Sequence, residues 1–314
     1  GNDTGSATER SGLANATAGS EASGNLVTND SDANSGDTLT VSSVRTGATE
    51  GFGSEATDNG TTLTLDGNYG TLTVTKNITA NGSGNVLVQT LGANQNITAN
   101  TNADITSGSG SISVLAAGGV IFNAQADIRT SSTGAGSGSI DVQAGSGAIE
   151  QDATSALVST GAGATVRLLA ATDVTVGDID VSDGAVSITA TGGSVLDADA
   201  LVGGANDGDQ DITAVALRLN AGSGVGGNVN HLETSVGTLS AAAGDGGVYL
   251  LEADAVSVGD VGLSVNRVGS DGALTVVTDA SQSDITSGNN GAIVLRSTAG
   301  GITLNEGAAI SANG

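Results

Sequence analysis

The run DITSGSGSISVLAAGG at 104–119 returns at 284–301 as DITSGNNGAIVLRSTAGG, 284 − 104 = 180 residues later. A second pair lies between them. VRLLAATDVTVGDI, from Val166, is echoed by VYLLEADAVSVGDV, from Val248, an offset of 248 − 166 = 82. Self-similarity constrains a fold more than any local propensity, because a repeated unit that cannot bury its apolar side alone must stack on its neighbours. The shared unit is short: a turn of small residues, an apolar–polar–apolar alternation, and another small-residue turn. GSISVLA, GSIDVQA, GAVSITA, GALTVVT and GAIVLRS are versions of it. Alternation at period two describes a strand with one buried face.

Composition decides what kind of interior such strands share. The 314 residues hold 51 glycines and no proline, where ordinary usage would give about 16 prolines. Turns therefore fall to Gly, Asn, Asp and Ser, which accept positive φ. Phe52, Tyr69, Phe122 and Tyr249 are all the aromatics. A broad globular core leans on aromatic bulk, so an interior of Val, Ile, Leu and Ala must be narrow. A narrow interior repeated along a line is a solenoid. Apolar positions at Val86, Ile112, Ile140, Val166, Val186, Leu217, Leu239, Val248, Leu274 and Ile293 mark its coils. The stretch ITAVALRLNA at 212–221 reads as a strand pair with Leu217 and Leu219 inward. The fold expected is all-β: a right-handed parallel β-helix over 77–314, behind a flexible lead at 1–20 and a small β-sandwich-like or strand-addition segment at 21–76. Helices are disfavoured by the glycine density and β-branched content.

Charge removes several function classes. Thirty-three acidic residues against eight basic ones leave a net charge of −25. Nucleic-acid binding needs a basic footprint, and anionic lipid attracts basic segments. No apolar run approaches the roughly 18 residues of a membrane span. The absence of cysteine removes disulfides, thiol catalysis and thiolate zinc sites. The chain opens on Gly1 without a signal peptide, and GGITLNEGAAISANG at 300–314 parallels GGVIFNAQADIRTSS at 118–132. The expectation is a mature piece or an excerpt of something longer.

Two resemblances follow. NDSDANSGDTLTV at 29–41, with GNYGTLTV at 67–74, resembles the VCBS-type, cadherin-like repeat of large bacterial surface proteins, over about residues 20–75. That family closes with a tyrosine-bearing strand, whereas here TKNIT at 75–79 leads straight into the repeats. Residues 77–314 resemble the β-helical repeats of filamentous-haemagglutinin-type adhesins. The resemblance implies an extracellular, non-enzymatic structural or adhesive segment at a bacterial surface. Its partners would be a cell-surface or glycan ligand, or other copies of itself in head-to-tail or lateral assembly. A self-assembling filament or sheath subunit is the alternative from the same class.

Candidate chemistry is acidic. Asp30, Asp32, Asn34 and Asp37 alternate oxygen side chains as Ca²⁺ prefers, and Asp207, Asp209 and Asp211 form a second such cluster. The first does not fit an EF-hand: Ser35 and Val41 stand where its glycine and bidentate acid would be. Against calcium stands a turn in which Asp and Asn bond their own backbone. Asp178, Asp180, Asp183, Asp197 and Asp199 could line one face of stacked coils, as a glycan-cleaving enzyme would require. Solvated turns explain the same residues, since Arg167 and Arg218 stand alone and no aromatic platform lies between Phe122 and Tyr249. His231, the single histidine, makes neither a metal site nor a triad.

Overall fold

The structure is a computed structural model that describes residues 43–45, 55–57, 71–134, 138–199 and 208–312. The chain divides into two units, 1–70 and 71–314. In the first, Ser43–Arg45 pairs antiparallel with Glu55–Thr57. The second is a right-handed parallel β-helix, and no helix occurs among the described residues.

Among the described residues the strands fall into nine coils, with outer bounds 71–89, 96–116, 120–144, 149–170, 174–190, 195–221, 224–243, 247–287 and 293–312. The first coil shows the plan, with strands Thr71–Val74, Ile78–Ala80 and Val86–Gln89 on three successive faces. Thr71–Val74 pairs with Asn96–Ala99 of the next coil, so residues 71–74 belong to the stack. Every strand-to-strand bond within the stack is parallel, so each coil uses the backbone of the coil below as its template.

Period-two alternation converts directly into three aliphatic columns. On the first face Leu72, Ile97, Val120, Ile149, Val174, Val195, Val225, Val248 and Ile293 stand in register. On the second, Ile78, Ile105, Ile128, Leu157, Ile179 and Ile212 do so. On the third, Val86, Ile112, Ile140, Val166, Val186, Leu217 and Leu239 are aligned. Most of these side chains are fully buried, each worth roughly 1.5–3 kcal/mol in apolar transfer. Phe122 is the one aromatic in this core. Along the third face the spacing varies from 186 − 166 = 20 to 217 − 186 = 31 residues, and along the first face the eighth coil takes 293 − 248 = 45, while the strand registers persist.

Residues 212–221 form one strand rather than a pair, with Leu217 and Leu219 inward. The larger departure lies at Leu274. It does not begin a coil. Val261–Val268 and Leu274–Gln282 form an antiparallel hairpin that leaves the stack after Val258 and rejoins it at Ile285. The hairpin lies over the outer side of the third face. Its tip carbonyl, on Gly272, accepts a bond from Asn85 Nδ2 in the first coil, and at its base Gln282 Nε2 donates to the Leu219 carbonyl in the sixth. Val261, Leu263, Val265 and Val268 are buried beneath it.

The covered surface is a ladder of outward positions: Ser113, Asp141, Arg167, Ser187, Arg218 and Ser240. All six are buried. Hairpin and ladder meet through alternating charges. Arg267 Nε lies 2.6 Å from Asp141 Oδ2, Arg167 Nη1 lies 3.1 Å from Asp141 Oδ1, and Arg167 Nε lies 2.9 Å from Asp279 Oδ1. Ser187 Oγ donates to Asp279, and Arg218 Nε donates to the Ala280 carbonyl. Burial alone would lower the pKa of Arg167, but bonds and charge from Asp279 and Asp141 outweigh it and raise the pKa.

Candidate acidic corner

The residue immediately before each inward second-face position, from Ile78 to Thr234, occupies one corner of the coil. Reading up the stack, that corner holds Asn77, Asp104, Asp127, Ala156, Asp178, Asp211 and Glu233. The motif Asp-Ile-Thr thus acquires a structural meaning. Its Ile points inward, and its Asp stands at the corner where the backbone N–H of the coil above needs an acceptor. Asn77 Oδ1 accepts from Asp104 N at 3.1 Å, Asp104 Oδ1 from Asp127 N at 3.2 Å, and Asp127 Oδ1 from Ala156 N at 2.8 Å. Higher up, Asp211 Oδ2 accepts from Glu233 N at 2.7 Å. Other corners repeat the device: Asp173 Oδ1 accepts from Ser194 N, and Asp284 Oδ1 from Ala309 N.

Stacking acidic residues at coil spacing sets up a conflict, since strands one coil apart lie only about 4.8 Å from each other. Lower in the column, Asn77 and Ala156 break the run of charge, and Arg129 bonds the carboxylate of Asp127 at 2.6 Å. Above Ala156 the relief is incomplete at Asp178 and no cation offsets the shift of Asp211. Desolvation and then Asp180 push the Asp178 carboxyl up, with Arg129 opposing. Burial and then Asp197 push the Asp211 carboxyl much further, to about 10, against the Glu233 N–H bond that favours its charged form. Glu252, fully buried one coil on, accepts from Thr234 Oγ1 and Val236 N, yet burial still lifts it to about 7.

Asp197, Asp211 and Glu233 each offer a carboxylate oxygen, and these oxygens lie within 4.8 Å of one another. Asp197 is held from outside the column. Asn230 Nδ2 donates to its Oδ2 at 2.6 Å, and the Asp199 N–H donates to its Oδ1 at 2.6 Å. Such a trio can share protons, or it can surround one hard cation, whose ligands sit 2.3–2.6 Å from the ion.

The candidate residues read from the sequence divide accordingly. Asp30, Asp32, Asn34, Asp37 and Asp207 lie outside the described residues. Asp209 and Asp211 part company: Asp209 is exposed, whereas Asp211 is buried in the trio. Asp178, Asp199 and Asp209 line a cleft of about 300 Å³ with Thr154, Ala156 and Gln210. Asp180 bonds the Ser182 N–H within its own turn, and Asp183 is exposed. Asp197, half-buried, belongs to the trio with Asp211 and Glu233. Glu233 and Glu252 escaped sequence reasoning. Neither sits near another acid of its set in the chain, and only the coil period would have aligned Glu233 with Asp211. His231 packs against Tyr249, ring centroids 6.1 Å apart, and burial followed by the charge of Arg296 lowers its pKa.

No protein-family model, curated protein or solved structure matches the chain.

Proposed function

We propose that the chain is a non-enzymatic structural and adhesive segment of a large extracellular protein of the bacterial surface. On this reading the coils are of the filamentous-haemagglutinin type and residues 20–75 are of the VCBS type. One observation carries the proposal: acids at the coil corners are spent on architecture. Asp104, Asp127, Asp173, Asp211 and Asp284 each accept a backbone N–H from a neighbouring coil. The remaining surface charge suits a solvated, self-repelling rod that displays its sides to a ligand.

The test is adhesion by the purified chain. Beads coated with it should be retained on a panel of immobilised glycans, matrix proteins or host-cell surfaces, and beads coated with an unrelated acidic protein should not. Retention on none of these surfaces would overturn the adhesive reading. Release of reducing ends from an anionic glycan, lost in the double variant Asp178→Asn and Asp209→Asn, would replace it with an enzyme.

A further inference from the structure

The hairpin that straps the coils leaves one strand edge open. Leu274–Gln282 pairs only with Val261–Val268. The bond from Gly269 N–H to the Ala273 carbonyl sets the alternation of the ladder. Thr275 and Val277 turn their backbone groups to the partner strand, and Leu274, Val276 and Thr278 turn theirs away from it. Further along, the Ala280 carbonyl is taken by Arg218. The open rim is therefore 274–278. Its side chains are unusually bare for this molecule, with Leu274 41% and Val276 69% exposed.

Natural edges are protected by lysine, proline, bulges or inward charges. The strand Leu274–Gln282 has no lysine, arginine or proline. Its single charge, Asp279, is turned down onto Arg167 and Ser187. The register shift between Val261 and Leu263 disturbs only the base of the hairpin. The rim itself carries none of these protections. It is flanked by acid, with exposed Asp271 at the tip and exposed Asp260 at the base, on a chain of net charge −25.

We infer that 274–278 is a strand-addition site for an extended peptide segment with alternating β-branched residues and basic residues at its ends. Main-chain bonds to the rim supply affinity, and alternate side chains packed on Leu274 and Val276 supply register. Basic ends answer Asp271 and the overall charge, which also speeds encounter. A second copy of this chain is the poorer occupant, since two bodies of charge −25 repel on approach. The inference goes beyond the adhesive reading and rests on the hairpin alone.

The test uses the full chain and dye-labelled peptides followed by fluorescence anisotropy. The probes are Lys-Thr-Val-Thr-Val-Thr-Lys, the same core with Glu ends, and the Lys-ended peptide with its central Thr replaced by Pro. The Lys-ended peptide should bind, and binding should weaken with salt. The Glu-ended and Pro peptides should bind at least about tenfold more weakly, about 1.4 kcal/mol. Val276→Lys, a change at an exposed position, should cost a similar factor while leaving the circular dichroism and melting curve unchanged. Equal binding of the Glu-ended peptide, no binding of any peptide, or indifference to Val276→Lys would each overturn the inference. So would sedimentation showing that the protein alone forms dimers which Val276→Lys dissociates, since the occupant would then be a second copy.

Discussion

Arg167 Nε lies 2.9 Å from Oδ1 of Asp279, a residue 112 positions later in the chain. Through its Nη1 the same guanidinium reaches Asp141 at 3.1 Å, in surroundings where neither side chain is more than 7% exposed. Removing one partner of a buried pair leaves the other charge uncompensated, typically at 3–5 kcal/mol. Arg167→Ala is expected near the lower end, about 3 kcal/mol, because Arg267 still reaches Asp141 and Ser187 still reaches Asp279. Urea denaturation measures the loss. Limited proteolysis within 269–273 should quicken in the same variant, because the hairpin is held by these charges as much as by its four buried aliphatics. Unchanged cleavage would mean that the apolar contacts suffice.

The corner column makes a prediction that separates architecture from chemistry. Asp127 accepts the Ala156 N–H with one carboxylate oxygen. An amide oxygen can do the same, so Asp127→Asn should be nearly neutral. Asp127→Ala should cost about 1–2 kcal/mol for the unsatisfied donor. Thermal melting of the two variants reads the difference. If Asp127→Asn proved as costly as Asp127→Ala, the charge rather than the acceptor would be what the corner needs.

How much of this was legible beforehand follows from which distances run along the chain. Val86, Ile112, Ile140, Val166, Val186, Leu217 and Leu239 were readable as coil markers, because the alternation that buries them is local. All seven fall on one face in register. Leu274 misled because GALTVVT alternates as a coil strand does. Alternation reports that a strand has two unlike sides and says nothing about whether its neighbour runs parallel. The signal that could have found the hairpin is GSDG at 269–272, a turn between the alternating runs VGLSVNRV and LTVVT. The acidic corner was hidden for a different reason. Asp209 and Asp211 are close in sequence, one exposed and the other buried, whereas Asp211 and Glu233 are 22 residues apart and adjacent in the stack. Uneven coil lengths blur that spacing, so only strand pairing could align them.

Close approach of coils makes one glycine decisive. A Cβ at Gly110 would collide with the carbonyl oxygen of Gly84 in the coil beneath and crowd Ser107 Oγ. That hydroxyl donates to the Gly84 carbonyl at 2.7 Å and accepts from the Gly110 N–H at 2.8 Å. Gly110→Ala therefore has to separate two backbones, and should cost about 1–3 kcal/mol, as overpacking does. Gly82→Ala meets open space, although its φ of 62° adds local strain, and should cost about 1 kcal/mol. Comparing the two melting temperatures distinguishes contact between coils from backbone preference.

Two buried carboxyls give the molecule a pH dependence of unusual sign. Asp211 rises from an ordinary 3.8 to about 10, chiefly through burial and then Asp197. Glu252 rises from 4.5 to about 7, again chiefly through burial. In both cases the folded state holds its proton more tightly than the unfolded chain does. Between the unfolded and folded pKa values the native form therefore binds more protons, and stability falls as pH rises. The contribution is complete below about pH 4. That of Glu252 is lost by about pH 7, and that of Asp211 continues to decline toward pH 10. Within its window each group is worth up to about 1.4 kcal/mol per pH unit. Melting temperature should thus decline steadily from pH 5 to pH 9. Asp211→Asn removes the titrating group while its amide oxygen can still accept the Glu233 N–H, so this variant should flatten the upper part of the curve. Glu252→Gln can accept from Val236 N and donate to Thr234 Oγ1, and should flatten the lower part. At pH 9 Asp211→Asn should melt above the parent chain, although it loses an acid from a corner where acids accept backbone bonds. A parent chain equally stable at both pH values would mean that burial does not hold a proton on Asp211 and Glu252.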